Sequence, residues 1–404
     1  MEAIGEPQRS YPVIHVTGTN GKGSTCRMAS ALLKAQGLRV GLYSSPHLEL
    51  INERLSIDGV AISDDELASQ LGALAELELF LGERLSWFEI VTACAYRWFA
   101  DEAVDAAVVE VGLGGRFDAT NVADGTVAAV TNVALDHTDI LGPTRAHIAA
   151  EKAGIVKAGS VLVLGEEDDD IARIFDDEAV RVAAASVWRR GEDFGAERSR
   201  LALGGRVVEL FTPAGCYGEV FIPLYGVHQA DNAAVALASV QAFSGGPLDQ
   251  ELVERGLGSV TVPGRMEVVR RSPLVVLDGA HNPAGAAAAG ATLAEDFSAT
   301  RRVIVVIGCL RGRSPLELLE ALASGGRALD RVVACSPASP RAQPAAQVAE
   351  AARSLGLPTD EVESGPTSVA DALERALEVA ESGDLVLVTG SLYVVGAARG
   401  LLRR

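Results

Sequence analysis

Short, nearly uninterrupted apolar runs alternate along this chain with longer stretches whose apolar positions recur at helical spacing. In the first part the runs are Val13–Val16, Leu38–Tyr43, Val104–Val111, Thr126–Val133 and Ser160–Leu164. Their continuity predicts parallel strands buried on both faces rather than strands with one wet face. Between them, Cys26–Ala35 and Phe88–Phe99 read as helices, Ser63-Asp-Asp-Glu66 as a capped helix start, and Asn52–Gly59 as a small hairpin. From about residue 186 to residue 224 the pattern alternates, as in Arg206–Thr212 and Glu219–Pro223, which predicts antiparallel strands beside the parallel sheet. After a break at Pro263-Gly264, a second series of runs follows: Leu274–Asp278, Arg302–Ile307, Arg331–Cys335 and Asp384–Thr389. The chain therefore predicts an α/β protein of two domains. The larger, over 1–270, has a mainly parallel sheet, and the smaller, over 271–404, is Rossmann-like.

Sheets of this kind bind ligands at the carboxyl ends of their strands, and the polar residues of interest fall there. The first strand runs into Gly18-Thr-Asn-Gly-Lys-Gly-Ser-Thr25 and then a helix, the order of a phosphate-binding loop. Glycines let the backbone turn its N–H groups inward, and the helix N-terminus adds partial positive charge. Lys22 can reach β/γ-phosphate oxygens, and Ser24 or Thr25 offers a hydroxyl near a magnesium ion. The spacing departs from the general Walker pattern, since Gly18 and Gly21 lie close together and Gly23 separates the lysine from the hydroxyl. Ser44-Ser-Pro46 ends the second strand at the same sheet edge.

Glu110 lies inside an otherwise apolar strand, where an unpaired carboxylate is costly or is forced to protonate. A metal ion near the phosphate loop would compensate it; an ion pair within the sheet is the alternative. Asp136-His137 ends another strand at that edge, and a set of Asp, Glu, Ser and His beside phosphate suits magnesium better than tetrahedral zinc. The acid run Glu166–Asp170 reads as a solvated loop or helix start without chemistry. Asp278-Gly-Ala-His-Asn-Pro283 puts polar residues at a strand end of the second series, which has no dinucleotide glycine fingerprint, so NAD is not indicated.

Charge and cysteine usage narrow the class. A formal net charge of −19 argues against nucleic acid or an anionic membrane as the main partner, while leaving local sites for anions. The 5 cysteines are scattered without paired spacing, and the start has no secretory apolar core. No apolar run approaches the length of a membrane span. A cytoplasmic protein without membrane or nucleic-acid partners is the expectation.

Taken in order, the motifs resemble those of the folylpolyglutamate synthase/dihydrofolate synthase branch of the Mur ligase superfamily, over nearly the whole chain. They are Gly18–Ser24, Ser44-Ser-Pro-His47, Glu110–Asn121, Leu135-Asp-His137, Glu151-Lys-Ala-Gly154, His228-Gln229 with Asn232, Pro263-Gly-Arg265 and Asp278–Pro283. The resemblance implies a Mur-ligase-type P-loop ATPase domain followed by a glutamate-ligase domain. It implies an ATP-dependent ligase that adds L-glutamate to folate, and to dihydropteroate as well, through an acyl phosphate. Thr19, Asn20, Gly21, Lys22, Gly23, Ser24 and Thr25 would surround ATP, joined by Asn232 and, from the C-terminal domain, by Arg265 and Asp278. Ser45, Glu110 and His137 would serve magnesium, and Lys152 matches a lysine carried as a carbamate. Lys22, Lys152 and His281 would be catalytic, and Arg116, Asp118, Thr120, Arg313 and Ser391 substrate-binding. The form of Arg116–Asn121 is that of members accepting dihydropteroate, and a monomer with small-molecule partners is implied.

Two departures stand out. The first strand begins at Val13, where members of the family carry a longer helical leader walling the pterin site. Arg311-Gly-Arg-Ser-Pro315 stands where they have Asp-Lys-Asp near the incoming amino acid; Arg313 keeps the positive charge and both acids are gone. A Mur-type ligase for another carboxylate and an ATP-binding regulator without catalysis are the competing readings.

Overall fold

The computed structural model describes residues 1–82 and 84–403, with the side chains of residues 78–81 outside the description. The chain divides into two compact units, residues 1–223 with 229–261, and residues 224–228 with 262–404. The division thus falls at Thr261/Val262, nine residues before the expected boundary at 270/271.

In the first unit the apolar runs become strands β1 (Val13–Thr17), β2 (Val40–Tyr43), β3 (Leu55–Ile57), β4 (Val60–Ala61), β5 (Ala106–Glu110), β6 (Val127–Val130), β7 (Val161–Leu164) and β8 (Ser186–Arg189). They form one eight-stranded sheet in the order β4-β3-β2-β5-β1-β6-β7-β8, parallel except for the β2–β3–β4 hairpins at one edge. Every residue of β1, β5 and β6 is buried, as their unbroken apolar pattern requires. Helices α1 (Lys22–Ala35), α2 (Asp64–Leu81), α3 (Trp87–Asp101), α4 (Thr138–Leu141), α5 (Arg145–Ala153) and α6 (Asp169–Val182) fill the connections. Ser63 and Ser86 start α2 and α3, each accepting from a backbone N–H three residues on while Glu66 and Glu89 return the bond. The alternating stretch is a separate antiparallel sheet of β9 (Gly195–Ala202), β10 (Gly205–Thr212) and β11 (Gly215–Ile222), followed by α7 (His228–Ser244) and α8 (Gln250–Gly258). Since β1 lies between β5 and β6, the strand order reverses around it, and the loops after these strands share one edge.

The second unit is a six-stranded sheet in the order β12-β13-β17-β14-β15-β16. Its strands are β12 (Glu267–Arg271), β13 (Leu274–Leu277), β14 (Val303–Ile307), β15 (Arg331–Ala334), β16 (Thr359–Glu361) and β17 (Leu385–Thr389), with only β12 antiparallel to its neighbour. Helices α9 (Pro283–Glu295), α10 (Pro315–Ser324), α11 (Ala345–Ser354), α12 (Ser368–Val379) and α13 (Leu392–Leu402) alternate with the strands. The short segment Leu224–His228 joins this unit: the Tyr225 ring lies 4.8 Å from that of Phe297, and Gly226 N–H donates to Asp296 Oδ2 at 2.7 Å. Among the described residues no helix is long and apolar enough to cross a membrane.

The acid run is not a solvated loop throughout. Glu166 is nearly buried, accepting from Val133 N–H at 2.8 Å and pairing with Arg145 at 3.1 Å, while Asp168 caps α6. Arg145 also donates to the Val133 carbonyl at 2.9 Å. The run therefore latches the loop that follows β6.

Candidate active site

The loop between β1 and α1 is held by the end of β6. Thr19 N–H donates to the Asn132 carbonyl at 2.9 Å, and Asn20 N–H to Asn132 Oδ1 at 3.0 Å. Thr131 Oγ1 and Asn132 Nδ2 both donate to the Asn20 carbonyl, at 2.6 and 3.1 Å. Thr19 Oγ1 donates to the Ala134 carbonyl and accepts from Ala134 N–H. Two glycines are required by geometry. Gly18 has φ +151°, and a Cβ there would lie 1.8 Å from Thr131 Oγ1; Gly21 has φ +85°, and a Cβ there would lie 2.2 Å from Asn232 Oδ1. The α1 N-terminus, starting at Lys22 with Gly21 as its cap, is thereby set beside Asn232 of α7.

Two lysines converge on one backbone oxygen. Lys22 Nζ donates to the carbonyls of Gly18 and Thr19 at 2.9 and 3.1 Å, and Lys152 Nζ, from the last turn of α5, donates to the Gly18 carbonyl at 2.8 Å. Lys152 is buried, and burial first, then the charge of Lys22, hold its pKa well below the usual lysine range. Asp136 and Asp118 oppose that shift. Glu110, buried at the end of β5, accepts from the Ser45 N–H at 3.0 Å, and a Cβ on Gly23 would be in ordinary contact with its carboxylate. Ser45 and Glu110 are thus brought together next to the first turn of α1. His137 caps α4 in a left-handed conformation, φ +50°, with Nε2 3.8 Å from Asp136 Oδ1. Ser24 and Thr25 are buried in α1, and Thr25 Oγ1 has no hydrogen-bond partner. Among the described residues no three His, Cys, Asp or Glu side chains form a metal cage. The Glu110 carboxylate and the Ser45 hydroxyl are hard oxygen donors, few in number, and they fit a magnesium ion that keeps water and phosphate ligands.

After β5 the chain makes a loop whose polar groups bind one another. Asp118 Oδ2 accepts from Leu113 N–H at 2.8 Å, and its Oδ1 accepts from Thr120 N–H at 3.0 Å and Thr120 Oγ1 at 2.5 Å. Thr120 is fully buried, so its hydroxyl shapes the loop from behind. Arg116 reaches Glu178 at 3.0 Å and lies across Gly154, where a Cβ would be 2.4 Å from the Arg116 Cβ. Phe117 at the tip of the loop is 86% exposed and borders a groove of about 530 Å³ lined also by Phe88, Leu113, Asp118, Ile140 and Leu141.

In the second unit, Asp278 ends β13 buried, accepting from Met266 N–H at 3.0 Å and Ala280 N–H at 2.9 Å. Burial raises its pKa, against the nearby Arg265 guanidinium, which lowers it. Arg265 lies over Gly279, where a Cβ would be 2.7 Å from Nη1. His281 Nδ1 is 2.8 Å from the Gly279 carbonyl, so it carries the proton of that bond. Ser391 is buried and caps α13 by accepting from Tyr393 N–H at 3.2 Å. Arg313 sits in a loop tied by Gln343, whose Nε2 donates to the Arg313 carbonyl at 2.6 Å. The next residue, Ser314, caps α10 by accepting from Glu317 N–H at 3.2 Å.

Two family models match the chain, the Mur ligase middle domain over residues 89–240 and the Mur ligase glutamate ligase domain over residues 264–392. A Mycobacterium tuberculosis protein named dihydrofolate synthase/folylpolyglutamate synthase is 40% identical over 100% of this chain and 88% of its own length. The chain belongs to the dihydrofolate synthase/folylpolyglutamate synthase family. Its fold is that of solved members: folylpolyglutamate synthase of M. tuberculosis complexed with ADP and AMPPCP gives a TM-score of 0.92 at 40% identity, over 100% of this chain and 94% of the other. The bifunctional synthase of Yersinia pestis complexed with AMPPNP and a Mn ion gives 0.86 at 33% identity, over 100% and 92%.

Thr131, Asn132, Glu166 and Arg145, none of them among the residues expected from sequence, hold the phosphate loop and its neighbour in place. The signal was present for Thr131-Asn132, a polar pair at the end of a buried strand on the ligand edge. No pattern in the sequence pairs Arg145 with Glu166. Ser314, where the family resemblance led to the expectation of an acid, is a helix N-cap, a role that serine and aspartate fill equally well.

Proposed function

We propose that this chain is an ATP-dependent ligase that joins L-glutamate to the carboxyl group of folate, and also of dihydropteroate, through an acyl phosphate. The observation that supports it most directly is the convergence of Lys22 and Lys152 on the Gly18 carbonyl, in a loop whose helix start also lies against Glu110. In this reading Thr19–Thr25 wrap the ATP phosphates, and Lys22 leaves its loop carbonyls to neutralise the transferring phosphoryl group. Glu110, Ser45 and His137 would hold magnesium, which would supply charge neutralisation on phosphate oxygens. Burial and the charge of Lys22 lower the Lys152 pKa and so favour its free amine, which would add carbon dioxide and release a proton to give a carbamate anion.

Asn232, Arg265 and Asp278 contact ATP, and His281 and Arg313 act on the glutamate half of the reaction. The groove under Phe117 takes the pterin: its apolar rings offer stacking surface, and Asp118 adds an acceptor. Arg116 and Thr120 hold its loop, and Ser391 sets the start of α13. The protein acts as a monomer on small molecules in the cytoplasm, a setting that suits its five unpaired thiols.

The test is phosphate release from ATP by the purified protein with dihydropteroate or tetrahydrofolate and L-glutamate. Release that requires all three components, with a product one glutamyl residue heavier by mass, is expected. Release that is indifferent to the pterin, or that responds to another carboxylate instead, would overturn the reading.

A further inference from the structure

His15 stands in the middle of β1, fully buried, with Val109 of β5 and Ala128 of β6 as its register partners. Its Nε2 is 2.9 Å from Thr120 Oγ1, while its Nδ1 is buried with no hydrogen-bond partner. The single hydroxyl proton of Thr120 goes to Asp118 Oδ1 at 2.5 Å. Thr120 Oγ1 therefore accepts from His15, which fixes the ring as the Nε2–H tautomer. Burial, reinforced by Lys157, pushes the His15 pKa down to about 3, so the ring stays neutral.

As a purely structural residue His15 is a poor choice. An orphaned ring nitrogen in a sheet interior is destabilising, and an apolar side chain of similar size would avoid that. What the imidazole adds is a donor to Thr120, whose own hydroxyl orients a carboxylate in the groove wall. Tyr96 supports the same turn from the other side, its hydroxyl donating to the Thr120 carbonyl at 2.7 Å.

We propose that His15 is a positioning residue for the pterin-bearing substrate, acting through Thr120 on Asp118 and so on the loop that carries Phe117. The proposal rests on the reading that this groove takes the pterin. His15 touches no reacting atom; it sets which lone pairs of Asp118 are occupied by the protein and which face the groove. Its loss should raise the KM for the pterin substrate and leave those for ATP and glutamate unchanged.

Steady-state kinetics of four variants test this, each with a melting curve. His15→Leu keeps the bulk and removes the donor, and is expected to raise the pterin KM by about fivefold, the effect of one neutral hydrogen bond, without a lower melting temperature. His15→Gln, which places an N–H near the Nε2 position, should restore it. Thr120→Val should reproduce His15→Leu, which keeps the proposal testable if either histidine variant misfolds. Unchanged pterin KM in His15→Leu and Thr120→Val would overturn the relay, as would a rise shared equally by all three substrates. Phe117→Ala separates the two readings: if it leaves the pterin KM unchanged while His15→Leu raises it, the relay stands and the groove assignment fails.

Discussion

After β1, β5 and β6 the polar side chains bind one another's loops, whereas after β13, β14 and β17 several of them start helices. In the first sheet Thr131, Asn132 and Thr19 tie two loops into one frame, and Asp118 ties a third to itself. In the second, Asn282, Ser314 and Ser391 accept from the first-turn N–H groups of α9, α10 and α13. The residue types are alike and their places in the topology are alike. The difference lies in what comes next in the chain: a glycine-rich turn leaves backbone donors for a ligand, and a proline- or leucine-led helix takes a side chain as its cap.

The comparison is broken most severely if Lys22 proves dispensable. Lys22→Ala should lower turnover by about a hundredfold or more with an unchanged melting temperature, because its amine donates to carbonyls of its own loop and bridges no distant elements among the described residues. A variant that melts normally and retains turnover would remove the first sheet's claim to the phosphate.

Gly18→Ala tests the frame itself. The added methyl meets Thr131 Oγ1 in a backbone region that disfavours side chains, so denaturant titration should show a loss of about 3 kcal/mol.

The acid response of His15 is next in size. Between pH 6.5 and about 3 the unfolded chain takes up a proton that the native ring refuses, so stability falls as pH falls through that window. At pH 5 the difference is about 2 kcal/mol, and it should vanish in His15→Gln when melts at pH 7 and pH 5 are compared.

The smallest effect sharpens the second half of the comparison. Ser314→Ala should lower stability by about 1 kcal/mol, and Ser314→Asp should leave both stability and the glutamate KM as they are, since aspartate takes over the cap. A glutamate KM lowered by Ser314→Asp would show that the position acts on substrate after all.

Much of this was legible in the residue order. Unbroken apolar runs gave the parallel strands, alternation gave β9–β11, and the glycines of the phosphate loop sit where positive φ and close approach demand them. What was not legible depends on side chains meeting across distant loops. Nothing in Glu166–Asp170 distinguishes a solvated run from a latch until Arg145 and the Val133 backbone are brought to it. Nor does a histidine in a strand announce that its partner is Thr120, 105 residues away. The caps were hidden for another reason: that Ser314 and Ser391 accept from first-turn N–H groups shows only once the helices they start are located.

Leu224–His228 is flanked on both sides by sequence of the first unit and is itself folded into the second. The backbone consequently crosses between units at 223/224, at 228/229 and at 261/262. A single protease nick at 261/262 would cut the polypeptide without releasing a free half. The N-terminal piece would still own Tyr225 and Gly226, seated on Phe297 and Asp296 of the C-terminal piece. The same position is therefore where the gene can be divided in two, its products being expected to find each other when co-expressed and to run as one species on a native gel.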